Sequence, residues 1–222
     1  MRNVLLIALM TAAMAVSGCQ SKVEEISEPA AESSDQPALR VMLDLEDPAK
    51  STGILTTTDS KRAFPVGYGK NGISCEGSRF SEGVTPIGRF RVNAVLSQND
   101  FKMDPELISQ SGKSEQDLKD TLFRNMNSID FKGDGETGEY GIGYISLAPV
   151  PSTPQPFAFN EYAGTFRWYS FAIHGTNNES RVGKTVTGGC LNVKQEDLKA
   201  LLSTLELGDE VEITGNGPCD AP

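Results

Sequence analysis

A single histidine, His174, serves the whole 222-residue chain, and tryptophan also occurs only once. A metal centre built from several imidazoles is therefore excluded, and so is any mechanism that needs two of them. Positive charge is scarce as well: 20 Lys and Arg face 30 Asp and Glu, for a formal charge of -10. Such a chain repels phosphate backbones, which argues against nucleic acid as a partner. Aromatic residues make up only 7%, against 22 glycines and 12 prolines. That balance points to a turn-rich, mainly β fold with short helices (α+β) rather than a helical bundle. None of the four cysteines forms a CxxC pair, so there is no ready zinc site. Asp130, Asp134 and Glu136 are close in sequence, and we read them as a solvated acidic turn rather than a calcium loop. No metal and no cofactor is expected. No internal repeat is visible.

No apolar run is long enough to span a bilayer. The longest, Val4 to Val16, has about thirteen residues, where a spanning helix needs roughly 20. With Arg2 before it and small residues after it, this run reads as an export signal. Its end, Val16-Ser17-Gly18-Cys19, resembles the bacterial lipobox. That resemblance implies removal of residues 1–18 and attachment of lipid to Cys19, an anchor that needs no transmembrane helix. Gln20 follows the cysteine, which favours the periplasmic face of the outer membrane in a Gram-negative cell, and otherwise the outer face of the cell membrane. Residues 19–37, the cysteine and QSKVEEISEPAAESSDQP, are acidic and poor in apolar side chains. As a flexible coil this tether would place the domain about 25 Å from its anchor.

The folded part is expected at 38–215, with a short tail at 216–222. Leu39, Val41, Leu43 and Leu45 alternate with polar or exposed positions, as do Phe64, Val66 and Tyr68, and Phe90, Val92, Ala94 and Leu96. These are strand periods. Tyr140 to Leu147, Thr165 to Ile173 and Glu210 to Thr214 are further strands. Leu118, Leu122, Phe123 and Met126 have helical spacing, with Ser114 and Asp117 as a capping box; Leu198, Leu201, Leu202 and Leu205 define a second helix. The stretch at about 97–164 reads as a partly helical insertion that flanks or covers a site.

The chemistry concentrates in FAIHGTNNESRVGKTVTGGCLNV, Phe171 to Val193. A strand delivers His174 to its end, and Cys190 follows a Gly188-Gly189 pair. A thiol becomes a useful nucleophile when an imidazole takes its proton. The oxyanion formed on attack needs fixed N–H donors, which the backbone at Gly188 and Gly189, together with the Cys190 N–H, is free to supply. The pattern supports acyl transfer or hydrolysis. Histidine before cysteine is opposite to the order in papain-like and NlpC-type peptidases. Sortases share the order but need an arginine after the cysteine, and the last arginine here is Arg181. Gly183-Lys184-Thr185 looks like the end of a phosphate-binding loop, but Asn178 stands where that loop requires glycine.

His174-Gly175-Thr176, a spacer, and Thr187-Gly188-Gly189-Cys190 resemble the signature of the L,D-transpeptidase family, the YkuD-type catalytic domain. Thr85-Pro86-Ile87-Gly88-Arg89-Phe90, the FPVGYGK stretch at Phe64 to Lys70, and the closing LGDEVEI at Leu207 to Ile213 match it too. The resemblance implies a β-sandwich catalytic domain that acts on peptidoglycan stem peptides. Cys190 would form a thioester with the stem and expel its terminal D-alanine, and His174 would move the protons. The Gly175 carbonyl would fix the imidazole tautomer. An amine from a neighbouring stem, or a lipoprotein lysine, would then resolve the thioester. Thr176, Thr187 and Asn192 would contact substrate. Two positions depart from the family pattern: Gly188 stands where many members have a second histidine, and Asn192 where many have arginine. The alternatives are an L,D-carboxypeptidase or amidase acting on the same type of bond, and a catalytically silent domain that binds the cell wall. Cys75 and Cys219 remain as a disulfide candidate in an oxidising compartment, or as two unpaired thiols.

Overall fold

In the computed structural model, the described residues are 36–128, 130, 135–152, 158–162 and 165–219. The expected export signal, the lipidation site Cys19, nearly all of the tether and Asp134 of the acidic turn lie outside them. Along the chain come β1 (Leu39–Leu43), β2 (Thr52–Thr56), β3 (Lys61–Pro65), β4 (Tyr68–Gly69), β5 (Ile73–Ser74), β6 (Thr85–Pro86), β7 (Gly88–Ser97) and β8 (Phe101–Met103). Helices α1 (Pro105–Ser111) and α2 (Glu115–Ser128) follow, then β9 (Gly143–Val150), β10 (Ala158–Tyr162), β11 (Thr165–Tyr169) and β12 (Ala172–His174). The chain continues through β13 (Thr185–Thr187), β14 (Leu191–Asn192), α3 (Gln195–Thr204) and β15 (Glu210–Gly215). The mainly β reading with short helices holds. Among the described residues, no helix is long and apolar enough to cross a membrane.

Nine strands form one sheet in the order β14-β12-β9-β7-β15-β1-β2-β3, with β8 paired to β7. Strands β1 and β15 run parallel, as do β12 and β14, and the other pairs in this sheet are antiparallel. Strand β9 corrects the expected insertion. It pairs with β7 from Arg89↔Val150 to Ser97↔Gly143, so residues 143–150 are central to the sheet. What departs from the sheet inside 97–164 is α1, α2 and β10, which pairs with β11 as a separate hairpin. The expected single strand from Thr165 to Ile173 is also two strands, broken at Ser170 and Phe171. There the chain leaves the hairpin and joins the sheet.

Alternation along the strands sorts side chains onto two faces. Val95, Ile145 and Ile173 point into the larger core, which Leu198 and Leu201 of α3 and Leu205 just beyond it cover. Ala94, Leu96, Tyr144 and Ala172 point the other way, into a second core with Leu107 of α1, Leu118, Leu122 and Phe123 of α2, and Trp168. A register shift between Val92 and Ala94 lets both belong to the pattern: an extra residue in a bulge reverses the facing of everything beyond it. Helix α2 begins at the expected capping box. The Asp117 N–H donates to Ser114 Oγ at 3.1 Å, and Ser114 Oγ donates to the Asp117 carboxylate at 2.6 Å. Cys75, just after β5, is bonded to Cys219, so the tail beyond β15 is tied to the loop before β6 across a sequence separation of 144.

Candidate active site

His174 ends β12, paired with Tyr144 of β9 on one side and Asn192 of β14 on the other. The residue is 9% exposed. The Tyr140 ring lies 4.4 Å from the imidazole, and the Tyr144 ring is stacked nearly parallel at 6.4 Å. Nδ1 is 2.6 Å from the Gly175 carbonyl oxygen. A carbonyl only accepts, so Nδ1 carries the hydrogen and Nε2 keeps a lone pair. This bond needs the chain to turn tightly after β12, where a Cβ at Gly175 would sit 3.0 Å from the Tyr140 carbonyl oxygen. Burial pushes the imidazole pKa down to about 4, and the Gly175 hydrogen bond opposes the shift. At neutral pH the ring is an uncharged base.

Cys190 directly precedes β14, beside β12, with which β14 pairs at Ile173↔Leu191. Thiol and imidazole are therefore carried by neighbouring parallel strands, on the face that holds Tyr144. The turn before the thiol is fastened from several sides. Thr187 Oγ1 donates to the Cys190 carbonyl at 2.6 Å and accepts the Gly189 N–H at 3.2 Å. Thr85 Oγ1 donates to the Gly189 carbonyl at 2.7 Å while accepting the Gly69 N–H at 2.8 Å. The Gly83 N–H reaches the Gly188 carbonyl at 2.7 Å. Gly189 has φ +124, and a Cβ there would lie 2.8 Å from the Val84 carbonyl oxygen, so only glycine suits the position. The Cys190 thiol is partly buried and donates to the Ser170 carbonyl at 3.7 Å. Burial pushes its pKa up to about 12, opposed by the Ala172 N–H. With the thiol above the imidazole in pKa, the proton stays on sulfur, and the resting pair is neutral.

This arrangement, an uncharged base and a thiol on adjacent strands, coincides with a match of residues 47–213 to the family described as YkuD, L,D-transpeptidase catalytic domain. The chain belongs to the L,D-transpeptidase family. It is 35% identical over 77 residues to the putative L,D-transpeptidase YkuD of Bacillus licheniformis, covering 35% of this chain and 43% of that protein. Over 44 residues it is 41% identical to the putative L,D-transpeptidase YqjB of Bacillus subtilis, covering 20% of this chain and 25% of the relative. These matches span less than half the length of either curated relative. Among solved structures, an L,D-transpeptidase of Mycobacterium tuberculosis aligns with 80% of this chain and 57% of its own, at 12% identity and a TM-score of 0.42. L,D-transpeptidase 3 of the same organism, crystallised with a faropenem-derived adduct, aligns over 80% and 60%, at 13% identity and a TM-score of 0.42.

Of the site residues expected in this transpeptidase-family domain, His174 and Gly175 lie at the end of β12, and Gly188, Gly189 and Cys190 form the turn that enters the adjacent β14. The Gly189 N–H is turned onto Thr187 Oγ1 and is not open to an oxyanion. Among the described hydrogen bonds, the Gly188 and Cys190 N–H groups donate to nothing, so of the three expected donors these two remain. Thr176, Thr187 and Asn192, expected as substrate contacts, are as buried as His174 or more so. They are 8%, 9% and 2% exposed. Thr176 Oγ1 is occupied by the Asn178 backbone, accepting its N–H at 3.1 Å and donating to its carbonyl at 3.2 Å. Asn192 is packed against Gly67, whose backbone pairs with its own. All three shape the loops that carry the site. Sequence reasoning missed Thr85, Ser170, Tyr140 and Tyr144. Thr85 stood in the quoted TPIGRF stretch, where its clamp on Gly189 could have been sought; Ser170 and the two tyrosines carried no motif. Among the described residues, no cluster of three or more His, Cys, Asp or Glu side chains is arranged to hold a metal ion.

Proposed function

We propose that this protein is an exported, lipid-anchored cysteine transpeptidase that moves a peptidoglycan stem peptide onto an amine. The observation that carries this reading is the His174–Gly175 hydrogen bond at 2.6 Å, which leaves the Nε2 lone pair unprotonated at the end of β12, next to the strand that Cys190 leads into. The family membership supplies the substrate class.

The first step begins from the neutral pair. Nε2 of His174 takes the thiol proton as Sγ of Cys190 attacks the stem-peptide carbonyl, so no free thiolate has to exist in a site that disfavours charge. The new oxyanion meets the N–H groups of Cys190 and Gly188, held in place by the Thr85 and Thr187 clamps. The imidazolium is stabilised by the Gly175 carbonyl at Nδ1 and returns its proton from Nε2 to the departing amine. The C–N bond breaks and the acyl group remains on sulfur. An incoming amine then attacks the thioester, gives its proton to Nε2, and leaves as the new amide while the thiol is reprotonated. Every proton passes through one nitrogen of one ring.

The test is incubation of the chain with disaccharide-tetrapeptide, followed by mass spectrometry. Crosslinked dimer supports transfer. Tripeptide without dimer replaces transfer by hydrolysis of the same bond, and unchanged substrate overturns the enzymatic reading. The anchor is tested separately: wild type should partition with membranes, and Cys19→Ala should release the chain in soluble form.

A further inference from the structure

Beneath the thiol lies a group of hydroxyls that the proposed reaction does not use. Tyr144 of β9 is 2% exposed, and a hydroxyl so deeply buried costs about 1–3 kcal/mol unless it is bonded. It donates to the Ser170 carbonyl at 2.9 Å. That oxygen is also the one that receives the Cys190 thiol hydrogen, at 3.7 Å. A carbonyl oxygen has two lone pairs, so both donors fit. Ser170 is held there in turn. Its Oγ lies 2.5 Å from Ser146 Oγ, a residue with no exposed surface, and reaches the Phe171 carbonyl at 3.2 Å. The break between β11 and β12 is what frees the Ser170 carbonyl from the sheet ladder. The same Tyr144 ring stacks on His174 at 6.4 Å and meets Trp168 edge-on at 6.0 Å. One side chain thus touches the base with its ring and the thiol's acceptor with its hydroxyl.

We propose that Tyr144 is a positioning residue for the nucleophile, its hydroxyl occupying the Ser170 carbonyl and so loosening that oxygen's hold on the Cys190 proton. The inference rests on the reading of Cys190 as nucleophile and His174 as base. A phenylalanine would fill the same space and stack in the same way, so packing alone leaves the hydroxyl unexplained. Without it, the Ser170 oxygen keeps one donor instead of two and becomes a better acceptor for the thiol, which holds the proton on sulfur. The titratable neighbours are few. His174 and Tyr140 face this region from β12 and from the loop before β9. Lys113, between α1 and α2, and Lys119 of α2 are engaged over the Phe166 and Phe101 rings, at 4.5 and 5.8 Å. The rest of the second core, Leu118, Leu122, Trp168 and Ala172, is apolar.

The experiment is alkylation of Cys190 by iodoacetamide in the full chain, followed by peptide mass spectrometry from about pH 6 to about pH 10. Tyr144→Phe should slow alkylation roughly three- to tenfold at each pH, the size expected for one hydrogen bond near 1 kcal/mol, with little change in melting temperature. Tyr144→Phe alkylated at the wild-type rate across the range overturns the proposal, and so does a lowered melting temperature with an unchanged pH profile. Ser146→Ala provides a second variant should Tyr144→Phe fold poorly: releasing Ser170 Oγ should slow alkylation in the same direction, and no change refutes the network. Alkylation needs no substrate. If Tyr144→Phe slows it as expected but the wild type never forms a thioester with a stem peptide, the proposed function fails and the role of Tyr144 at the thiol stands.

Discussion

His174 should leave its mark on stability as well as on rate. In the fold, burial holds its pKa at about 4, against 6.5 for an ordinary histidine. Above 6.5 neither the folded nor the unfolded chain protonates the ring, and its contribution to the pH dependence is zero. As pH falls below 6.5 the unfolded chain binds a proton that the folded chain refuses, so stability drops until pH reaches about 4 and both forms are protonated. The gap corresponds to about 3 kcal/mol at most. The perturbation is His174→Asn, which removes the titration, and the assay is urea denaturation of both proteins at a series of pH values. Absolute stabilities will differ because packing against Tyr140 and Tyr144 changes, so the slopes are what matter. Wild type should lose about 2–3 kcal/mol more than His174→Asn between pH 6.5 and pH 4. Parallel curves would refute the buried, neutral imidazole and with it the neutral resting pair.

The same pKa predicts that acylation of Cys190 by a stem tetrapeptide stays flat with falling pH past 6 and declines only near pH 4, measured by intact-protein mass spectrometry. A midpoint near 6.5 would contradict it. Thr85→Val should lower kcat by tenfold or more while leaving the fold intact, because it releases the Gly189 carbonyl and the Gly69 N–H at once; unchanged turnover would remove the clamp from the account. Replacing Cys75 and Cys219 by serine should cost about 2–5 kcal/mol in urea unfolding, the range for a long closed loop, with turnover per folded molecule preserved.

Much of this was legible in the sequence because strand period and capping are local. The alternation in Leu39 to Leu43 and in Phe90 to Leu96 became strands, and Ser114 with Asp117 became a reciprocal cap. The short helix α1 was missed although its signals were present: Asp104 caps it by accepting the Glu106 N–H at 3.0 Å, Pro105 opens it, and Gly112 closes it at φ +66. Strand β9 was seen as a strand but assigned to an insertion, because sequence spacing says nothing about which strand a segment pairs with. At the site, His174, the Gly188-Gly189 pair and Cys190 stood out as candidates, since the chemistry demands those residue types close together, but the engagement of the Gly189 N–H by Thr187 did not. Thr85 and Tyr144 were not. Each acts through a contact 104 or 30 positions away in the chain, formed only when the fold brings β6 and β9 to the turn and strand that carry the thiol and the imidazole. The burial of Asn192 was equally hidden, for it depends on Gly67 lying against it.

The central claim, acyl transfer through Cys190, is tested most directly by trapping the thioester. The chain is mixed with a stem tetrapeptide in the absence of an amine acceptor, quenched in acid, digested and sequenced by mass spectrometry. The account predicts a tripeptide acyl mass on the fragment that contains Cys190 and none on Cys190→Ala. An acyl group on any other residue, or equal product formation by Cys190→Ala, would contradict it.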